Sequence, residues 1–577
     1  MRARRRPRAG AHNINIMRRA LSPLLALAVL AAACSGTATE PSPGSARSSP
    51  RASTPAEPTA SGPAFRAACR LPVEQLRRLR RGYDPRRSPD LVLVPRAPNY
   101  FGGFSTYTHS GPWDYVQEVP LVLYGPGYVR ARGEIDPDRV VTVADVAPTL
   151  AGLLGTPWPE GRPGEPLEEA LVPAGKRPRP PRAAVVVVWD GAGRNVLARW
   201  PRAWPTLARL AREGTAVRGA EVGSSPSVTP AIHATIGTGA FPKQHGIVDI
   251  PLRRGDAVVG SWEGHSPRNL ELATLGDLHD EATGDRAEVV MFAENNWHLG
   301  MLGHGAYRAG GDRDVAVMVE DDGRLVSNET FYSLPSYLSD LEGFDRAVRA
   351  VDAADGALDG LWMGHDLLDE PGEMRHTPVW LLWQSRILRA LVEGEGLGRD
   401  DVPDLLVTNF KQIDLIGHDW NMLSPETRAA VAYSDDALAD LVRLLDRRVG
   451  RGRWVLVVTA DHGQSPAPSS TGAWPIGLSP LLEDLERRVD APVADLVEDE
   501  RPGAIWLDRD RLPREGVSAR DLAEAALDYR IRDDRAALEA APAGYAGRGR
   551  ERVFSAVFPY AWMPQLWARC GPAGGGR

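Results

Sequence analysis

Residues 185–193 read "VVVVWDGAG". Four valines and a tryptophan in a row show no apolar–polar alternation, so both faces of the segment are expected to be buried. That is the pattern of an inner strand in a parallel sheet. Glycines break the run, and Asp190 follows the strand directly. In open α/β sheets ligands bind beyond the carboxyl ends of the strands, which is where Asp190 stands. An Asp in that place is also an ordinary helix cap, so one such residue decides nothing.

Working outward, similar runs occur at 91–94 ("LVLV"), 119–124 ("VPLVLY"), 288–293 ("EVVMFA"), 404–410 ("DLLVTNF") and 454–460 ("WVLVVTA"). Each reads as a buried parallel strand. Apolar-periodic helical segments, such as 145–154 and 425–445, alternate with them. The alternation predicts an α/β fold with a central, mostly parallel sheet and helices on both faces. Two further strands end as the first does. "VVTADHGQS" sets Asp461 and His462 after its strand, and "LLVTNFKQIDLIGHDW" sets Asp414 and His418 four residues apart. Three strand ends that are all Asp or Asp/His exceed what capping explains. Carboxylate oxygen and imidazole nitrogen suit zinc or a similar transition metal. In "SSPSVTPAIHATIGTGAFPKQHGI" (224–247), Thr229 precedes Pro230, which predicts a helix N-terminus with Thr229 as its cap. Alone, Thr229 is an ordinary capping residue. Beside a metal cluster its hydroxyl is a candidate nucleophile.

The chain has 577 residues, 43% hydrophobic and 25% charged, with a net charge of −7. The first 33 residues hold seven arginines and no acid. Without them 61 basic residues face 75 acidic ones, a net of −14. Such an acidic protein lacks the basic surface that a nucleic-acid groove binder needs. Residues 1–33 read as a signal peptide. Arginines precede "LLALAVLAAA" (24–33), a run too short to span a bilayer, and Met17 is an alternative start. Cys34 follows three alanines in a lipobox-like context. The expectation is a lipoprotein anchored to the outer face of a bacterial membrane, the alternative being plain cleavage and secretion. Residues 34–63, rich in Ser, Thr, Pro, Ala and Gly, read as a disordered tether. Cys69 and Cys570 are expected to pair in an oxidising compartment, the alternative being two unrelated buried thiols. The Pro- and Arg-rich segment 171–183 reads as a linker. The irregular stretch 251–400 reads as a cap insert. Its Trp262, Trp297, Trp362 and Trp380 read as core rather than as substrate platforms.

"DGAG", "TPAIHATIGTGAFPKQHGI", "DLIGHD" and "TADHG" together resemble the signature set of the alkaline phosphatase superfamily, in particular its nucleotide pyrophosphatase/type I phosphodiesterase-like branch. The resemblance implies an alkaline-phosphatase-like sandwich. It also implies two divalent metal ions, most simply zinc, and attack by Thr229 through a phosphothreonine. One metal would take Asp190, Thr229, Asp461 and His462. The other would take Asp414, His418 and a histidine that relatives carry near the C-terminal end. "THSGPWDYVQEVPLVLYGPG" (108–127) resembles that late segment, which makes His109 the missing ligand. The blocks at 79–100 and 140–161 resemble its flanks. The catalytic domain, 64–577, is therefore expected to be circularly permuted. Residues 78–170 would be the family's C-terminal block, 171–183 the joining linker, and 184–540 its beginning and middle. A Cys69–Cys570 bridge would then staple the new chain ends.

The expected reaction is hydrolysis of a phosphoric ester. Relatives place an Asn about twenty-one residues after the nucleophile, where this chain has Ile250. Phosphomonoesterase relatives carry a Lys-x-Arg pair where this chain reads "AENNWHLGMLGHG" (293–305). Loss of these clamps favours a diester or pyrophosphate over a dianionic monoester. Asn295, Asn296 and His298 are candidate substitute donors, or else a polar loop capping a helix. Sulfatase chemistry is disfavoured, because Thr229 lacks the C/S-x-P-x-R context. The alternatives are a phosphomonoesterase or phosphonate hydrolase on the same site, and an inactive surface binding protein.

Overall fold

The computed structural model describes residues 60–572. The expectations for the signal segment, Cys34 and most of the tether lie outside the described residues. The folded part begins before the tether's expected end at 63. Ala60 is already buried, donates its N–H to Gln565 Oε1 at 2.9 Å, and leads into the helix Gly62–Ala68. Among the described residues no helix is long and apolar enough to cross a membrane.

A nine-stranded sheet forms the centre. Its spatial order is Leu325–Val326, Val315–Val319, Val289–Phe292, Asp404–Phe410, Ala183–Trp189, Trp454–Thr459, Leu121–Tyr124, Thr215–Val217 and Gly133–Ile135. The run from Val315–Val319 to Trp454–Thr459 is parallel throughout. Every residue of Ala183–Trp189 and Asp404–Phe410 is buried. This is why these strands carry no alternation: neither face is left to water.

The sheet's register positions the site. Phe410 pairs with Trp189, and Thr459 with Val188, so three strands end level with one another. The loops bearing Asp190, Asp414 and Asp461 therefore leave the sheet at one edge. The strand Leu121–Tyr124 runs antiparallel to this core, with Leu121 opposite Thr459. It was expected to be parallel. Its reversal matters, because its start lies at the carboxyl edge of the parallel strands. The segment just before it, which carries His109, is delivered to that edge.

Two other expectations need correction. The run at 91–94 is not in the central sheet. Leu91–Pro95 pairs antiparallel with Ala504–Leu507 and Phe554–Pro559 in a separate four-stranded sheet. A five-residue apolar strand buried on both faces reads the same in either sheet, so the run itself carries no sign of its partners. The stretch 251–400 is likewise not a cap alone. It supplies three strands of the central sheet, Val289–Phe292, Val315–Val319 and Leu325–Val326, and the helix Val379–Leu391. Trp262, Trp362 and Trp380 are buried in the main core, and Trp297 packs partly buried against it.

The smaller sheet is built from both ends of the chain. The helices Gly62–Ala68, Val73–Gly82, Ala519–Leu527 and Met563–Cys570 contribute to one second core around it. The bridge Cys69–Cys570 closes this arrangement, with Cα atoms 5.3 Å apart. It spans 501 residues. By the chain-entropy estimate so long a loop contributes about 6 kcal/mol before any strain. Serine at both cysteines should therefore lower the unfolding free energy by roughly 2–5 kcal/mol, read from denaturant titration. An unchanged midpoint would mean that the two cores hold the chain ends without it.

Candidate active site

Asp190, Thr229, Lys411, Asp414, Asp461 and His462 are all buried at the carboxyl edge of the parallel strands. Close backbone packing brings their loops together. A Cβ on Gly193 would fall 2.2 Å from Gly463 Cα, so the "DGAG" and "ADHG" loops can cross only as glycines. The helix carrying Thr229 packs just as closely. A Cβ on Gly237 would meet the Gly300 carbonyl at 2.1 Å.

Asp414 and Asp461 each have one oxygen tied down and the other turned inward, while both oxygens of Asp190 are held, Oδ1 by Lys411 Nζ at 2.9 Å. Asp190 Oδ2 accepts from Asn409 Nδ2 at 2.9 Å, and Asp461 Oδ1 accepts from the Gly191 N–H at 3.1 Å. Asp414 Oδ2 accepts from Lys411 Nζ at 2.7 Å. That leaves Asp414 Oδ1 and Asp461 Oδ2 buried without hydrogen-bond partners, together with His462 Nε2. Buried polar atoms left in this way are costly unless a cation meets them.

The histidines are oriented alike. His109 Nδ1 faces the Ser227 carbonyl at 3.2 Å, His418 Nδ1 faces the Tyr107 carbonyl, and His462 Nδ1 faces the Gly463 carbonyl at 3.1 Å. A ring nitrogen that donates to a carbonyl leaves Nε2 with its lone pair, the arrangement of a metal-ligating histidine. Nε2 of His109 lies 3.3 Å and that of His418 3.4 Å from Asp414 Oδ1. His462 Nε2 is 3.3 Å from Asp461 Oδ2 and 3.4 Å from Asp190 Oδ1. Two triads result, His109/Asp414/His462 and Asp190/Asp461/His462, each with its ligand atoms within 4.8 Å of one another. His462 belongs to both and its ring stacks on His109 at 3.4 Å between centroids. The chemistry of the donors and the orphaned atoms fit divalent cations of the zinc type.

The electrostatics agree. Burial holds the His109 pKa well below its ordinary value, and His462 adds to the drop, so the ring is neutral. Burial works against charge on His462 too, but Asp461 and Asp190 prevail and raise it to about 10. The same carboxylates would draw a divalent ion in place of that proton. His109 and His418 are the least buried members, with side chains 12% and 28% exposed, so the site opens on their side.

Thr229 differs from expectation in one respect. It is the first residue of the helix Thr229–Thr238, and Val228 takes the extended cap position. Its hydroxyl is therefore not spent on capping and lies 3.2 Å from Lys411 Nζ. The loop holding His109 is fixed to the loop before Thr229 by Gln117. Its Nε2 donates to the Gly111 and Ser224 carbonyls at 3.0 and 2.8 Å.

The substrate-side candidates separate. Asn295 Oδ1 accepts from the Trp297 N–H and caps a short turn, while Asn296 Nδ2 donates to the Trp262 carbonyl. Both work within the fold. His298 is fully buried, has neither nitrogen hydrogen-bonded, and packs edge-on to His233 at 4.5 Å. These two histidines and Asp190 form a third close group. Sequence reasoning passed over Lys411, Asn409 and His233. Lys411 stands three residues before Asp414, and only its charge next to a metal-type motif signalled it.

Among curated proteins, the chain is similar to alkaline phosphatase PafA of Elizabethkingia meningoseptica. The two are 23% identical over 332 residues, which is 49% of this chain and 59% of that protein. It is also similar to alkaline phosphatase PhoD of Zymomonas mobilis, at 25% over 268 residues, 41% of this chain and 45% of that one. The chain thus spans about half the length of the curated relatives it matches. The crystal structure of wild-type PafA superposes with a TM-score of 0.49 at 18% identity, covering 66% of this chain and 85% of that one. The model of the type I phosphodiesterase/nucleotide pyrophosphatase family matches residues 184–542, more than half of the chain, and the chain belongs to that family.

Proposed function

We propose that the protein is an exported, metal-dependent phosphoric ester hydrolase with Thr229 as its nucleophile. The observation that carries this reading is the set of buried, unpartnered atoms Asp414 Oδ1, Asp461 Oδ2 and His462 Nε2 in the cluster that also holds Thr229. Asp190, Thr229, Asp461 and His462 would hold one divalent ion, and Asp414, His418 and His109 the other. Bound there, two zinc ions would supply Lewis-acid charge to the phosphoryl group and the leaving oxygen.

The chain's own residues do the rest. Thr229 Oγ forms a bond to phosphorus as the ester P–O bond breaks. The threonine proton passes to solvent, and the leaving oxygen gains one from solvent. Water then attacks phosphorus and the Thr229 Oγ–P bond breaks. The phosphoryl group leaves as a monoester when the substrate was a diester and as phosphate when it was a monoester, and Thr229 regains its proton. His109 and His418 flank the open side, where the leaving group exits. Asn409 and the Gly191 N–H hold Asp190 and Asp461 in place throughout.

Export and lipidation at Cys34 are part of the same reading. The Cys69–Cys570 bridge supports it, since disulfides persist in oxidising compartments. So is circular permutation. In its support, the family match begins at residue 184, His109 comes from the block before it, and the segments around Cys69 and Cys570 lie side by side at the bridge. A diester is the preferred substrate, because Ile250 replaces an amide and no Lys or Arg lies in 293–305. The Lys411 ammonium beside Thr229, and the names of the curated relatives, favour a monoester as the second reading.

Thr229→Ala should abolish turnover while keeping the fold and most of the bound metal; activity near the wild-type level would sink the covalent route. His109→Ala should selectively lower occupancy of one metal, leaving Asp414 and His418 short of the usual three protein ligands of a catalytic zinc. Two tightly held ions in that variant, measured by elemental analysis, would contradict both the ligand role and the displaced block. With one leaving group, the bis-ester should exceed the mono-ester in kcat/KM. A mono-ester preference of about tenfold or more would establish the second reading instead.

A further inference from the structure

Lys411 sits at the end of Asp404–Phe410 and at the cap of the helix Gln412–Trp420. Its side chain is 3% exposed. Its Nζ donates to Asp190 Oδ1 at 2.9 Å, Asp414 Oδ2 at 2.7 Å and Thr229 Oγ1 at 3.2 Å. The first two carboxylates belong to different triads, so the ammonium bridges the two halves of the site at the nucleophile.

We propose that Lys411 is a catalytic residue, a fixed cation that holds Thr229 Oγ and the phosphoryl oxygens during attack. The proposal rests on the hydrolase reading above. Charge balance supports it. Asp190, Asp414 and Asp461 carry three negative charges, and two divalent ions already exceed them. The lysine charge is then surplus to the ligands and available to an anionic substrate. Placement supports it as well. An ammonium that served only to neutralise the carboxylates needs no contact with a threonine hydroxyl, yet Lys411 makes one. No other Lys or Arg side chain donates to Asp190, Asp414 or Thr229 among the described residues. Lys411 keeps its three protons throughout. As the Thr229 Oγ–P bond forms and the ester P–O bond breaks, it exchanges a hydroxyl for phosphoryl oxygens as hydrogen-bond partners. Preorganised donors of this kind act where charge develops in the transition state.

The test compares zinc-loaded wild-type protein with Lys411→Met, which keeps length and removes charge. The variant should hold the wild-type zinc content and lose at least about 100-fold in kcat, with KM changed by less than about threefold. Its affinity for orthovanadate, measured by calorimetry, should weaken by roughly tenfold or more. A kcat within about threefold of wild type, or a loss of activity explained by lost zinc, would overturn the proposal and leave Lys411 a scaffold residue. Should the variant fail to fold, a crystal structure of the wild-type vanadate complex decides. Nζ within hydrogen-bond distance of Thr229 Oγ or a vanadate oxygen is expected, and Nζ turned away from both contradicts it. A wild-type enzyme that turns over no phosphoric ester would defeat the functional reading separately. Vanadate affinity and zinc content would still judge Lys411.

Discussion

Three carboxylates, Asp190, Asp414 and Asp461, share one buried cluster, and the rest of the molecule is arranged around that repulsion. A charge buried without compensation costs several kcal/mol even after relaxation. Here the compensation is explicit. Lys411 bonds two of the three, and Asn409 and the Gly191 N–H hold an oxygen each. Burial opposes ionisation of Asp190 and Asp414, yet the lysine beside them brings both below the ordinary carboxylate range. Burial also opposes the charge on Lys411, but Asp190, Asp414 and Asp461 raise its pKa above the usual lysine value. The acids and the lysine thus stay charged because of one another. The inward-facing oxygens that remain, Asp414 Oδ1 and Asp461 Oδ2, are what fits the cluster to a divalent cation.

Holding such a cluster requires a rigid frame, and the central sheet provides it. Level strand ends set three of the loops, and tight glycine crossings leave them no room to drift. The fourth contributor, His109, arrives by a different route. It depends on the antiparallel strand Leu121–Tyr124 and on Gln117, which ties its loop to the one before Thr229. The second core, stapled by Cys69–Cys570, secures the chain on which that block hangs. The disulfide and the site are thus linked through the fold without touching.

Much of this was legible from residue order. Asp190, Asp414, His418, Asp461 and His462 stood out because three strand ends carry Asp or Asp/His together, more than helix capping explains, and the structure brings them to one edge of the sheet. The helix at 425–445 matches its expected span, because long periodic segments leave little ambiguity. Other features were hidden for physical reasons. The runs at 91–94 and 119–124 look alike, yet one lies in the small sheet and the other is an antiparallel member of the large one. Strand direction and partner are set by contacts made far along the chain. The edge strands within 251–400 are short, and irregular segments surround them. Apart from its place beside a metal-type motif, nothing in the sequence separates Lys411 from an ordinary surface lysine, and only the folded chain turns it inward. Thr229 was found through Pro230, although the helix starts one position earlier than the cap rule implies.

The proposed function turns on one step, the covalent bonding of Thr229 to phosphorus. The most direct measurement is acid quenching of the zinc-loaded enzyme during turnover, followed by peptide mapping. The expected result is a phosphoryl adduct on the peptide containing Thr229, still carrying the second ester when the substrate is a diester, formed during turnover and chasing away when substrate is exhausted. Turnover with no such adduct on that peptide at any time, or an adduct on another residue, would contradict it.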